Sequence, residues 1–274
     1  MYELRDVRKV FDDGTVAVDG VSLTVGRGEH VAFIGPSGAG KTTLFRLLNL
    51  TLRPTSGAIR LDGADVAALS GAALRRARAR IGTVYQQHNL VGRLRVVHNV
   101  LAGNLGRWST TTALGSLVRP RAAGQAADAL ARVGIPGKLW SRTDELSGGQ
   151  QQRVAVARVL VQDPDVILAD EPVSSVDPAL AVAIVTLLRD LCAASGKTLL
   201  MNLHDVELAL AHFPRIVGVR NGRVHFDQAP DEVDAGQLDE LYAGEADEGR
   251  EAAALRGAVA RLGRACRPLA GFDR

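Results

Sequence analysis

Read as a pattern of apolar and polar positions, the chain opens with two β-rich runs, Tyr2–Phe11 and Val16–Val25, punctuated by Asp12-Asp13-Gly14 and Gly26-Arg27-Gly28. Such punctuation predicts hairpin-connected strands. His30-Val31-Ala32-Phe33-Ile34 follows as an unbroken apolar run of buried-strand length, and beyond a glycine-rich turn the spacing changes to the helical pattern Thr42–Leu50. Strand, glycine loop and helix in that order form half of a βαβ unit, which predicts an α/β fold.

From about Asn89 to Leu160 the β signal fades into an Ala-, Leu- and Arg-rich stretch with one turn, Val133-Gly134-Ile135-Pro136-Gly137, which predicts a helical subdomain inserted into the core. The core pattern resumes with Asp165–Ala169, a helix from about Pro178 to Ala194 and a strand Thr198–Asn202. Asn221-Gly222 between Ile216–Arg220 and Arg223–Phe226 predicts a final hairpin. The domain is therefore expected to span residues 1–230. Residues 231–274 are expected to be a helical or disordered tail, with helical spacing but little apolar face at Ala253–Leu262. No internal repeat is visible, so each motif occurs once.

Composition narrows the class without identifying it. With 274 residues, 46% hydrophobic and 23% charged, the chain has the balance of a globular protein large enough for a substantial core. No stretch approaches the ~18 to 20 apolar residues of a membrane span, and Met1–Asp6 leads into no signal-like apolar region. A cytoplasmic protein is expected. Cys192 and Cys266 belong to no CxxC or Cys/His cluster, which excludes zinc and thioredoxin-like readings. Net charge is +3, and only four of the 33 basic residues are lysines. The densest run, Arg75-Arg76-Ala77-Arg78-Ala79-Arg80, has no interleaved aromatics and reads as a solvated helix face, so no nucleic-acid partner is expected.

The chemistry begins at Gly35-Pro36-Ser37-Gly38-Ala39-Gly40-Lys41-Thr42, which satisfies G-x-x-x-x-G-K-[ST] between a buried strand and a helix. Gly35, Ser37, Gly38 and Gly40 let consecutive N–H groups curl around a phosphate at a helix N-terminus whose dipole favours anions. Lys41 then reaches the β- and γ-oxygens, Thr42 offers a hydroxyl to Mg²⁺, and Thr43 lies near the α-phosphate. A second signal is Val166-Ile167-Leu168-Ala169-Asp170-Glu171-Pro172, an apolar strand ending in two carboxylates where an open α/β sheet places its ligands. Asp170 is expected in the Mg²⁺ shell and Glu171 as the base for an attacking water.

Between these two signals lies Leu146-Ser147-Gly148-Gly149-Gln150, followed by the helical run Val154–Val161. Ser147 and Gln150 have the spacing of a capping box. A capping box does not need two glycines, whereas a helix N-terminus that receives a second phosphate does. Together the three motifs resemble those of ATP-binding-cassette (ABC) ATPases, over about residues 2 to 230. The resemblance implies a P-loop NTPase (RecA-like) core with an N-terminal antiparallel β subdomain and an inserted α-helical signature subdomain. It also assigns Phe11 to adenine stacking, Gln86 to the Q-loop and the Mg²⁺/water site, Asp177 to the D-loop and His204 to the switch that contacts the γ-phosphate.

Within the superfamily, Gln86–Leu94 and Asn202-Leu203-His204-Asp205-Val206 resemble phosphonate-import ATPases. Two positions depart from the pattern: Ser174-Ser175-Val176-Asp177 where Ser-Ala-Leu-Asp is usual, and His98 where relatives carry Glu, in the region expected to face the membrane partner. The resemblance implies a head-to-tail homodimer in which Ser147, Gly149 and Gln150 of one copy complete the ATP site of the other. It implies two transmembrane permease subunits, an extracytoplasmic binding protein, and a peripheral position on the cytoplasmic face of the membrane. A soluble ABC ATPase of a non-transport complex, for example one that cleaves carbon–phosphorus bonds, or a cassette for another substrate, fits the same motifs. DNA-repair and translation types do not, since no long coiled coil and no second cassette is present.

Overall fold

A computed structural model describes residues 1–173 and 177–243. Its first strands are β1 (Tyr2–Val10) and β2 (Val16–Val25), then β3 (His30–Ile34) and helix α1 (Lys41–Leu48). A short hairpin, β4 (Ser56–Leu61) and β5 (Ala64–Asp65), is followed by α2 (Gly71–Ala79) and β6 (Ile81–Tyr85). The helical stretch contains α3 (Val96–Leu101), α4 (Thr110–Val118), α5 (Ala123–Arg132) and α6 (Gly148–Gln162). The chain then runs through β7 (Val166–Asp170), α7 (Pro178–Ala194), β8 (Thr198–Asn202), α8 (Val206–His212), β9 (Ile216–Arg220), β10 (Arg223–Gln228) and α9 (Ala235–Tyr242).

Two sheets result. One is antiparallel with strand order β2-β1-β4-β5; the other has order β10-β9-β3-β8-β7-β6 and is parallel except for the β9–β10 hairpin. Because successive strand residues point to opposite faces, the central strands divide their side chains between two cores. Val31, Phe33, Val166, Leu168 and Leu200 face the antiparallel sheet and α1, while Ala32, Ile34, Ile167, Ala169, Leu199 and Met201 face the helical side. Burial on both faces explains why these strands read as continuous apolar runs. Helix α1 is fixed between the sheets: Phe45 meets Phe33 edge-on at 5.3 Å between centroids, and the Tyr2 hydroxyl donates to the Leu48 carbonyl at 2.9 Å.

The strands Val16–Val25, His30–Ile34 and Thr198–Asn202 and the helix Pro178–Ala194 have the bounds that the pattern predicts. The packed unit continues past residue 230. Val233, Leu238 and Leu241 of the following segment are buried in the helical-side core, because α9 lies on the β9–β10 hairpin. The helical spacing at Ala253–Leu262 and the Ser174-Ser175-Val176 segment lie outside the described residues. No described helix is long and apolar enough to cross a membrane.

Candidate functional site

The phosphate loop leaves β3 at the C-terminal edge of the parallel sheet and ends at α1. Gly35 has φ 143°, and a Cβ there would stand 2.0 Å from the Val219 carbonyl oxygen of β9. Gly40, with φ 97°, caps α1, and its Cβ would stand 2.1 Å from the Ala17 carbonyl oxygen of β2. Neither position admits a side chain, so the loop is pressed between two neighbouring strands. The Gly222 N–H of the β9–β10 turn donates to the Ala39 carbonyl at 2.9 Å and secures the loop from a third side. Ser37 and Gly38 form its exposed rim.

No side chain caps the N-terminus of α1, so its first-turn N–H groups and helix dipole face the loop interior. Lys41 is buried to 4% exposure, with its ammonium donating to the carbonyls of Gly35 and Pro36. A buried cation held by loop carbonyls, at the uncapped N-terminus of a helix, is suited to a polyanion.

The acidic cluster lies at the ends of the adjacent strands. Parallel pairing sets Tyr85 of β6 beside Asp170 of β7, and Asp170 beside Asn202 of β8. The Asn202 amide donates to Asp170 Oδ1 at 2.8 Å, and the Thr42 hydroxyl reaches the same oxygen at 3.4 Å. Burial raises the Asp170 carboxyl above its ordinary value; the Asn202 bond opposes this, the adjacent Glu171 charge adds to it, and the Thr42 bond offsets part. A carboxylate that burial destabilises, sharing an oxygen with a hydroxyl, suits a small hard cation such as Mg²⁺, which takes few protein oxygens and keeps water and phosphate as its other partners.

Glu171 turns away from the strand in the left-handed region, with φ 50°. Continued strand geometry would point it to the face opposite Asp170; the turn instead ends the strand alternation at this residue. Its Oε1 lies 2.8 Å from His204 Nε2, and its N–H donates to the Asn202 carbonyl at 3.2 Å. His204 lies two residues past β8, between Leu203, whose N–H donates to the Phe33 carbonyl, and Asp205, which caps α8. Thus Thr42, Asp170, Glu171 and His204 converge at one edge of the sheet.

Gln86 emerges exposed from β6, one residue past the Tyr85–Asp170 pairing. Phe11 sits at the β1–β2 turn, where Lys9 Nζ lies 5.4 Å from its ring centroid. Thr43 is half-buried in the first turn of α1. The signature residues form a separate group. Ser147 and Gln150 complete a capping box at the start of α6, with the Gln150 N–H donating to Ser147 Oγ and the Ser147 N–H to Gln150 Oε1. A Cβ on Gly149 would stand 2.6 Å from Leu180 Cδ2, so this glycine lets α6 lie close to α7. Asp177 caps α7. No hydrogen bond among the described residues joins Ser147, Gly149 or Gln150 to the phosphate loop. Asn202 is the residue sequence reasoning missed: its signal is a polar side chain, wholly buried, closing the otherwise apolar strand Thr198–Asn202.

Comparison with known proteins agrees with this geometry. The family model described as ABC transporter matches residues 18–174. A protein of Pseudomonas aeruginosa named Phosphonates import ATP-binding protein is 52% identical over 88% of this chain and 91% of its own length. One of the same name from Thiobacillus denitrificans is 47% identical over 87% of this chain and 91% of its own length. Among solved structures, a dimeric bacterial ABC transporter cassette superposes with a TM-score of 0.74 at 30% identity, covering 84% of this chain and 99% of the other. The same cassette is known as a dimer in a post-hydrolysis state bound to ADP and phosphate, with a TM-score of 0.72. A protein of Clostridium perfringens that is part of the ABC transporter complex cbiONQ superposes at 0.74 with 29% identity, covering 87% of this chain and 92% of the other. The chain therefore belongs to the ABC transporter family, as one of its ATP-hydrolysing cassettes.

Proposed function

We propose that this chain energises an importer of phosphonates or related phosphorus compounds, as a head-to-tail pair of copies beneath two membrane-spanning permease subunits fed by an extracytoplasmic binding protein. The 2.8 Å contact between Glu171 and His204, beside Asp170, carries the hydrolytic part of this reading. The name shared by relatives at 52% and 47% identity supports the cargo.

In this reading ATP lies with its phosphates in the Gly35–Thr43 loop and its adenine against Phe11. Lys41 exchanges its two loop carbonyls for β- and γ-phosphate oxygens. Magnesium, when bound, neutralises charge on those oxygens, and Thr42, Asp170 and Gln86 are the residues that would hold it. Glu171 takes a proton from the attacking water as its oxygen bonds the γ-phosphorus and the bond to the bridging oxygen of ADP breaks. His204 Nε2 holds the Glu171 carboxylate before nucleotide binds, and its N–H would turn to the γ-phosphate as charge develops there. Ser147, Gly149 and Gln150 bond to each other or pack on α7 within one chain, so they remain available to close on the nucleotide of the second copy. Closure and reopening of the pair would drive the permease between its two access states.

The test is capture of the partners. The Glu171→Gln chain, tagged and held closed with ATP, is purified from solubilised membranes of its own host. Equal amounts of a multi-span permease are expected with it. Recovery only from the soluble fraction, with enzymes or nucleic acid, would sink the importer reading while leaving the ATPase assignment standing.

A further inference from the structure

The segment beyond β10 touches the phosphate loop. Helix α9 is held at both ends: Asp234 and Gln237 form a capping box at its start, Gln228 of β10 donates to Gln237 Oε1 and to the Glu232 carbonyl at 2.8 Å, and Arg220 at the end of β9 donates to the carbonyls of Glu240 and Ala243. Leu238 and Leu241 anchor its inner face in the core. This fixes the last residue of the helix, Tyr242, and the Gly35 N–H donates to its hydroxyl oxygen at 3.1 Å.

Gly35 is the hinge between β3 and the loop. Its N–H is held by Tyr242, and its carbonyl accepts from the ammonium of Lys41. Its Cα is pressed on the Val219 carbonyl of β9, the strand that also carries Arg220 and so the end of α9. One hairpin with its following helix therefore braces the loop at Gly35 through Tyr242 and at Ala39 through Gly222. Gly35 is buried, so its N–H has no solvent to replace the tyrosine oxygen.

We propose that Tyr242 is a positioning residue of the ATP site: its hydroxyl holds the Gly35 peptide so that the phosphate loop and Lys41 are set for nucleotide before it arrives. The inference rests on the ATP-site reading above. Loss of the hydroxyl leaves the Gly35 N–H unpaired and lets the loop entrance sample other arrangements, and binding must then restore the order. The effect therefore falls on affinity. Once ATP is bound, the loop is held by the phosphates, and Glu171 and His204 act as before.

The test uses the full chain, assembled with its permease where turnover is measured. Wild type is first shown to bind ATP by calorimetry, which decides the underlying site reading independently. Tyr242→Phe, which keeps the ring, is expected to raise both the ATP Kd and KM about five- to ten-fold, the lower end of the range for a buried N–H left unpaired, with kcat within about two-fold of wild type. Amide exchange at Gly35 is expected to accelerate. Leu238→Val loosens α9 while keeping the hydroxyl, and is expected to lower the melting temperature with an unchanged Kd. An unchanged Kd in Tyr242→Phe, or an equal rise in Leu238→Val, would overturn the proposal.

Discussion

Glu171 is the most informative single residue. A non-glycine side chain at φ 50° carries roughly 1–2 kcal/mol of backbone strain, and it accompanies the contact of this carboxylate with His204. Glu171→Gln keeps the shape and removes the proposed base; ATP binding should persist while turnover falls about 100- to 10,000-fold, measured as phosphate release. Wild-type turnover in this variant would overturn the base assignment. Cys192 gives a simpler expectation. Burial pushes its thiol up to about 12, so the folded protein should leave it unmodified by an alkylating reagent at pH 8 and expose it only on unfolding, read by mass spectrometry of the peptide that carries it. Asp170 and Glu171 were legible in the sequence because acids ending an apolar strand stand out, whereas Asn202 closes a strand with no partner visible in one dimension. The contact between Glu171 and His204 was illegible for the same reason, since it spans two strand ends.

At the scale of elements, close approach and capping decide the packing. Gly103, just after α3, would put a Cβ 2.3 Å from the Arg158 carbonyl and 2.8 Å from the Gln162 nitrogen of α6, both backbone atoms that cannot step aside. Gly103→Ala should therefore destabilise by about 1–3 kcal/mol or more, read from the denaturant midpoint. The C-cap of α6, Asp163, is tied to the start of β8 by a Lys197 bond of 2.7 Å, and that bond holds the Asp163 carboxyl below its ordinary value. A carboxyl lowered on folding adds stability above its unfolded value and loses it as pH falls through the lowered one. The stability difference between wild type and Lys197→Met should shrink as pH drops below about 4, the ordinary carboxylate value; a difference independent of pH would contradict the assignment. The sequence showed the α6 capping box and the Asn221-Gly222 hairpin because both are local. It showed α9 poorly: Leu238, Leu241 and Tyr242 do have helical spacing, but the short helix follows a composition change that masks it.

At the scale of the molecule, one chain holds two groups of candidate site residues that no hydrogen bond among the described residues joins, which the proposal assigns to two different ATP sites: the loop and acidic edge on one side, the start of α6 on the other. Two layers of apolar side chains on opposite faces of the parallel sheet hold each group in place, and the two-faced apolar runs that build them were plain in the sequence. What the sequence could not show is the order of the six strands, because β6 and β3 are brought to β7 and β8 by connections that run through whole helices. If the two groups complete each other between copies as proposed, ATP should join two copies. Glu171→Gln with ATP is expected to double in mass by light scattering, and Ser147→Arg, which crowds the opposite group, should stay monomeric. The most direct test of the whole account is uptake of a radiolabelled phosphonate by host cells in which the chromosomal copy is deleted and the chain is restored from a plasmid. Wild type should restore uptake and Glu171→Gln should leave it at the level of the deletion; equal uptake from both, or unimpaired uptake in the deletion, would contradict it.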